Sequence, residues 1–291
     1  MRARSVFRYS FYPLLVGGSL AIYFYFARRS SIATLSTLSA IIALVSIATI
    51  HVCEKWMPYR RSWNISAGDR ATNLLLTNVV LPMGFKAVEI GLSLAIASLL
   101  SEVVREKLHG LWPAHWGLTA QLALALLLCE FFFYWIHRWG HTSPQLWKFH
   151  SIHHAVKRVY WNNSGRFHPV DMILNLTFYL APLVLLGVPP IIVGAFATVN
   201  AVTGLLEHAN VDYKAGPFNF IFNTAELHRW HHSTDPVVSS KNFGKALCIW
   251  DLVFKSWYLP KDKEVGEVGV TTELIPEDLL GQIVHPFKKI S

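Results

Sequence analysis

Charge is scarce in this chain. Only 15% of its 291 residues are Asp, Glu, Lys or Arg, whereas 53% are hydrophobic and the mean hydropathy is +0.35. Soluble domains carry about 25% charged residues, so that class is excluded. Cysteine is also rare. Cys53, Cys129 and Cys248 form no CxxC pair, which leaves no disulfide framework and no thiolate set for an iron–sulfur cluster. Cys53 and Cys129 fall in apolar runs and are expected to be packing residues. A GxGxxG dinucleotide fingerprint is missing. The pairs His168-Pro169 and His285-Pro286 lack the following glycines of a cytochrome b5-type haem domain. Internal repeats, low-complexity segments and Pro/Gly linkers are absent too, so the chain reads as one membrane domain with a cap. No basic stripe interleaves with aromatics outside the apolar runs, so the net charge of +8 does not point to nucleic acid.

What the chain does have is long apolar runs. A bilayer needs about 20 such residues per helix. Tyr9–Ala27, Ile32–Cys53, Asn73–Leu100 (interrupted by Lys86 and Glu89) and Trp116–Ile136 are four that suffice. The first starts among Arg2, Arg4 and Arg8 like a signal peptide, but it is too long for an h-region and runs into Arg28-Arg29 without a small-residue cleavage site. It is therefore read as a retained helix. A fifth stretch, Met172–Leu206, is broken at Gly187-Val-Pro-Pro190; proline removes backbone donors and stops a helix, so a helical hairpin with two short arms is expected there. Basic residues set the orientation. Arg2, Arg4, Arg8, Lys55, Arg60, Arg61 and Arg70 share one side if His137 emerges there, against Arg28, Arg29, Arg105 and Lys107 on the other. The expected fold is therefore all-α: a polytopic membrane protein of about four transmembrane helices plus a short helical hairpin, with a cytosolic histidine-rich cap holding a dimetal site. Its expected divisions are an N-terminal transmembrane region at 1–115, a catalytic region at 116–258 and a peripheral cytosolic tail at 259–291.

Histidine is the most informative residue. Ten of the fourteen lie between His137 and His232. They cluster as His137-Arg-Trp-Gly-His141, His150-Ser-Ile-His153-His154 and His228-Arg-Trp-His231-His232, with His168 and His208 between the last two groups. Residues at i, i+3 and i+4 share a helix face, so each cluster can aim two or three imidazoles at one point. Neutral imidazole suits iron, zinc and copper. Eight to ten converging rings exceed the needs of one tetrahedral zinc and suit two metals. His168 precedes a proline and is expected in extended backbone, either as a ligand or as a capping group. Metal-bound histidines hold their second nitrogen against an oxygen; Asp171, Glu207, Asp212, Glu226 and Asp235 lie near enough in sequence to serve. Glu130 sits two helical turns before His137 on an apolar helix, where a buried acid is costly. It is a candidate for proton delivery or for a structural hydrogen bond. Trp139, Tyr160, Trp161, Asn162 and Asn163 flank the clusters, either shaping a lipid entrance or marking the membrane interface.

The order HxxxH, HxxHH, HxxHH on a multi-helix membrane chain resembles the fatty acid hydroxylase/sterol desaturase superfamily. The likeness extends to Leu146–His154, Phe167-His-Pro-Val-Asp171, Glu207–Asp212, Asn223–Ser233, Asn242-Phe-Gly and Trp250-Asp251. One departure is Phe254-Lys255-Ser256, where the family pattern reads Phe-Gly-Thr. The resemblance implies a non-haem centre of two iron ions that activates dioxygen, with zinc able to replace iron in purified protein. It implies hydroxylation, desaturation or ether cleavage of a lipid: sterol, fatty acyl, sphingoid or alkylglycerol. His137, His141, His150, His153, His154, His168, His208, His228, His231 and His232 are the expected metal ligands. Electrons must come from a separate partner, a ferredoxin or a cytochrome b5 with its reductase. Two other readings use the same ligands: a zinc-dependent lipid hydrolase, and a non-catalytic membrane protein that binds metal or lipid. Against transport, the histidines gather at one face, and only Lys86, Glu89 and Glu130 could line a path across.

Overall fold

The computed structural model describes residues 2–272 and 274–288, without the side chains of Arg2 and Ala3. In chain order the helices are α1 Arg2–Ala27, α2 Ile32–Trp56, α3 Arg70–Leu75, α4 Leu81–Leu99, α5 Glu102–His109, α6 Leu118–Thr142, α7 Pro144–His154, α8 Pro169–Leu185, α9 Pro190–His208, α10 Ala225–His231, α11 Pro236–Ser239, α12 Ile249–Val253 and α13 Leu279–Val284. A π turn at Leu76–Val80 joins α3 to α4 in one continuous rod. Among the described residues, β structure is confined to three isolated bridges.

Among the described residues, five helices are long and apolar enough to cross a membrane: Arg4–Ala27, Ile32–Trp56, Arg70–Leu99, Leu118–Thr142 and Pro190–His208. The hairpin expected at Met172–Leu206 is present, but its second arm is longer than expected. At 19 residues α9 spans about 28 Å, nearly a full bilayer core. Pro190 opens it at the first helical position, where the missing N–H costs nothing, and Gly187 turns the chain with φ +58°. The α9 helix is the hub: α2, α1, α6 and α10 all pack on it, and α8 lies between α4 and α6. Its buried face carries Ile192, Phe196, Val199, Val202 and Leu206. The outer faces of α1, α2 and α4 leave Leu14, Leu44, Met83 and Leu94 uncovered, a contiguous apolar exterior that suits lipid and not water. Lys86 and Glu89 on α4 pair with each other at 2.8 Å.

Helix breaks place the histidines. Ser143 precedes Pro144, a position that disfavours helix, so α6 stops at Thr142 and α7 folds back against it. The stretch beyond Pro260, expected to be peripheral, instead packs on the cap. Val265 and Val268 bury their side chains with Trp63, Val156, Val159 and Trp230. The Gly269 N–H donates to the His232 carbonyl at 3.0 Å. Arg60 adds hydrogen bonds to the Val265 and Gly266 carbonyls, and the Thr234 N–H donates to the Glu267 carbonyl.

Candidate metal centre

Four elements converge at one end of the bundle: the last turn of α6, the end of α7, the end of α9 and α10. Two groups of imidazoles result. His137, His141, His150, His154 and His231 form one; His153, His208, His228 and His232 form the other, and within each the ligand-capable atoms lie within 4.8 Å of one another. The groups adjoin, since the His154 and His232 rings stack with centroids 4.6 Å apart. Gly140, between His137 and His141, faces the His150 ring, where a Cβ would sit in van der Waals contact at 3.4 Å.

The outward nitrogens fix how the rings face. His137 Nδ1 donates to the Phe243 carbonyl at 2.6 Å and His231 Nδ1 to the Lys241 carbonyl at 2.7 Å. His150 Nδ1 donates to Asp171 Oδ2 at 3.0 Å, His153 Nδ1 to the Arg166 carbonyl at 3.2 Å, and His208 Nδ1 to Asn163 Oδ1 at 2.8 Å. Each partner is an oxygen that can only accept, so each of these rings carries its proton on Nδ1 and turns an Nε2 lone pair inward. His228 is held less firmly, 3.4 Å from the Asn223 amide and 4.0 Å from Glu207.

Inside, the nitrogens crowd. Nε2 atoms approach at 3.1 Å (His137–His150), 3.0 Å (His137–His231), 2.9 Å (His208–His228) and 3.1 Å (His228–His232). For His137, His150 and His231, whose protons sit on Nδ1, the facing lone pairs repel at that distance unless a cation lies between them. A first-row metal about 2.1 Å from each nitrogen sets neighbouring ligands about 3 Å apart, so the spacing fits a metal. His141 Nε2 and His154 Nε2 are buried without any hydrogen-bond partner, a costly state that ligation relieves. The donor set is all nitrogen, which favours a transition metal over magnesium or calcium. Burial, reinforced by the neighbouring rings, holds His153, His154, His228 and His232 well below the usual imidazole range, and His231 at about 3. The rings are therefore neutral at pH 7, as ligation requires.

Nine of the ten histidines expected as ligands are thus brought together; His168 is not. It is the N-cap of α8, with Nδ1 accepting from the Val170 N–H at 3.1 Å and Nε2 donating to the Ile283 carbonyl at 3.1 Å. Both nitrogens are spent, so the capping alternative holds. Glu130 also stands outside both groups. Its Oε1 accepts from the Ala246 N–H (2.7 Å) and the Tyr179 hydroxyl (2.8 Å), and its Oε2 from the Lys245 N–H (2.9 Å). This is a structural anchor for the segment that carries Phe243. Of the other carboxylates, Asp171 orients His150. Asp212 pairs with Arg8, Glu226 with Lys214, and Asp235 caps α11.

Three residues have roles at the site that the sequence reading did not assign. Asn163 orients His208 and also bonds the Arg158 carbonyl. Glu54, at the end of α2, accepts from the backbone N–H groups of Trp161 and Asn210 through one oxygen, tying the loops on either side of the site together. Asp251 accepts from the Phe243 and Gly244 N–H groups and from Ser256 Oγ, which aims the Phe243 carbonyl at His137. Burial pushes the Asp251 carboxyl up to about 6 against those hydrogen bonds. Gly244 belongs to the same turn, because a Cβ there would lie 2.0 Å from the Leu247 carbonyl oxygen. The Asn242-Phe-Gly and Trp250-Asp251 likenesses could have flagged this turn, but not its role.

The family model for fatty acid hydroxylase matches residues 122–256. Ornithine lipid hydroxylase OlsE of Rhizobium tropici is 33% identical over 267 residues, 91% of this chain and 80% of that protein. Alkylglycerol monooxygenase of Danio rerio is 30% identical over 142 residues, 49% of this chain and 31% of that protein. Very-long-chain aldehyde decarbonylase GL1-8 of Oryza sativa subsp. indica is 24% identical over 162 residues, 55% of this chain and 58% of that protein. No solved structure matches the chain.

Proposed function

The chain belongs to the fatty acid hydroxylase family, and from that premise we propose that it is a membrane-embedded di-iron oxygenase that hydroxylates a bilayer lipid. The observation that carries this reading is the pair of adjoining all-histidine groups, five rings and four, each of a size to hold one ion. Iron bound there would supply dioxygen activation. The substrate C–H and one oxygen atom become the alcohol; the other oxygen atom leaves as water with two protons and two electrons. Those electrons come from a separate ferredoxin or cytochrome b5 with its reductase. The substrate is an ornithine lipid, the lipid named in the OlsE relative. The histidine end faces the cytosol, in keeping with Arg4, Arg8, Lys55, Arg60 and Arg61 at the same end.

The chain's own residues do the positioning. Phe243, Lys241 and Arg166 carbonyls, Asp171 and Asn163 lock five rings by their outward nitrogens. Phe167 stacks on His153 with centroids 4.2 Å apart and keeps water from that ring. Elemental analysis of iron-loaded protein tests the reading. About two irons per chain are expected, with about one lost in His231→Ala and about one in His153→Ala, and oxygen-dependent hydroxylation of ornithine lipid abolished in both. Oxygen-independent hydrolysis, or activity surviving in either variant, would overturn it.

A further inference from the structure

A cavity lies apart from the histidines, at the same end of the bundle. It encloses about 590 Å³ between the start of α1, the end of α2 and the loop that follows α2. That volume is in the ordinary range for a small-molecule site. Arg4, Arg8, Lys55 and Arg61 line it, together with Trp56 and a single carboxylate, Asp212. Asp212 is already committed to Arg8 at 2.8 Å. Neighbouring Glu54 is turned inward to the Trp161 and Asn210 backbone. Arg4 and Arg61 are left lining the cavity with no carboxylate partner among the described residues, and Lys55 has only the inward-turned Glu54 near it. Among the described residues, neither the Arg4 nor the Arg61 head group has a hydrogen-bond or ion-pair partner.

The walls are nonetheless built. The Arg8 carbonyl accepts from the Lys214 N–H at 2.8 Å, fixing the start of α1 on the loop after α9. Trp56 is 54% exposed yet braced edge-on by Phe7 at 4.9 Å, as an aromatic at a membrane–water interface would be. Next to the rim, Val6, Tyr9 and Val52 face outward, uncovered. A ligand here meets cations at its head and lipid-facing apolar surface at its side. We propose that this cavity binds the phosphate-bearing headgroup of an anionic membrane lipid, which seats α1 and α2 against the bilayer. The proposal is independent of which lipid is oxidised.

The test uses full-length protein in neutral detergent, with dihexanoyl phosphatidylglycerol, dihexanoyl phosphatidylcholine and inorganic phosphate as probes. Binding is read by native mass spectrometry and by the rise in melting temperature. Each cation at an anionic headgroup contributes about a fivefold gain in affinity. The Arg4→Gln/Arg61→Gln double variant should therefore bind phosphatidylglycerol about 25-fold more weakly, and Lys55→Gln about fivefold. The lipid-free melting temperature should not move in either. Phosphatidylcholine should bind much more weakly than phosphatidylglycerol in the parent. Equal binding of the two lipids, or phosphatidylglycerol binding unmoved in both variants, would overturn the site. Inorganic phosphate that protects as well as phosphatidylglycerol at equal concentration would show a free-phosphate site and overturn the lipid proposal.

Discussion

Replacing Asp171 by asparagine changes one atom and should loosen one metal group selectively. Asp171 divides its oxygens: Oδ1 accepts from Asn175 Nδ2 at 2.7 Å and Oδ2 from His150 Nδ1 at 3.0 Å. Asn175 Nδ2 is also fastened to the Asp171 carbonyl at 2.9 Å, so it stays in place as a donor. An amide at 171 has one oxygen for two donors. If the oxygen serves Asn175, an NH2 group faces His150, and the ring loses its partner or moves its proton to Nε2, the atom that faces the other rings. Loss of such an outer partner weakens metal affinity by about 10- to 100-fold, equivalent to ~1.4–2.7 kcal/mol. The assay is metal retention against a rising chelator concentration. On the proposed assignment of one metal to each group, one metal should leave at a 10- to 100-fold lower chelator concentration, while the other, assigned to His153, His208, His228 and His232, should keep its midpoint. Adding Asn175→Ala removes the competing donor, so the introduced amide can turn its oxygen to His150 and part of the loss should be recovered. A midpoint within twofold of the parent in Asp171→Asn would refute the argument that this carboxylate orients the ring.

Other consequences are as direct. Glu130→Gln places an NH2 group against a buried backbone N–H, a cost of about 1–3 kcal/mol, so calorimetry in detergent should show Tm lower by about 2–5 °C with metal per folded chain unchanged. An unmoved Tm with turnover lost would assign Glu130 to proton transfer instead. Lys255 holds φ +60°, a left-handed conformation that costs a side-chain-bearing residue about 1–2 kcal/mol; Lys255→Gly should stabilise the protein by ~1 kcal/mol, read as a higher Tm, and a lower Tm would contradict the strain argument. Metal-free protein should lose stability in acid. His231 holds its proton affinity at about 3 when folded but near 6.5 when unfolded. Between those values the unfolded chain binds more protons, so stability falls as pH falls, by ~1.4 kcal/mol per pH unit for each such ring. A flat Tm between pH 7 and 5 would show the rings are not buried neutral.

The helices and the histidine groups were legible because both obey short-range rules. Apolar length marks a span, and spacing of three or four marks a face. The partition of nine rings into five and four was not legible, because it depends on how far Pro144 turns α7 back on α6. His168 illustrates the limit well. Its residue type and place near the other clusters fit a ligand, and only the position of Ile283, 115 residues away, shows where its second nitrogen goes. The roles of Asn163 and Glu54 were missed for a related reason, since their partners His208 and Asn210 are distant in sequence. The Lys255 departure was visible as an anomaly, but its meaning needed a torsion angle. Ser256 at the next position keeps a hydroxyl on Asp251 at 2.6 Å, so the turn survives the exchange.

The docked tail bears on how such a protein can be divided. The matched segment ends at residue 256, yet His232 is fastened through its carbonyl to Gly269, Thr234 through its N–H to Glu267, and His168 to Ile283. At the other side, Glu54 of α2 holds the loops that carry Asn163 and follow His208. The stretch by which kinship is recognised is therefore shorter than the stretch that must fold together. Grafting residues 116–258 onto foreign membrane helices would transplant the ligands without the two braces that aim them, and chimeras exchanged at either boundary should carry α2 and the tail along with the histidines.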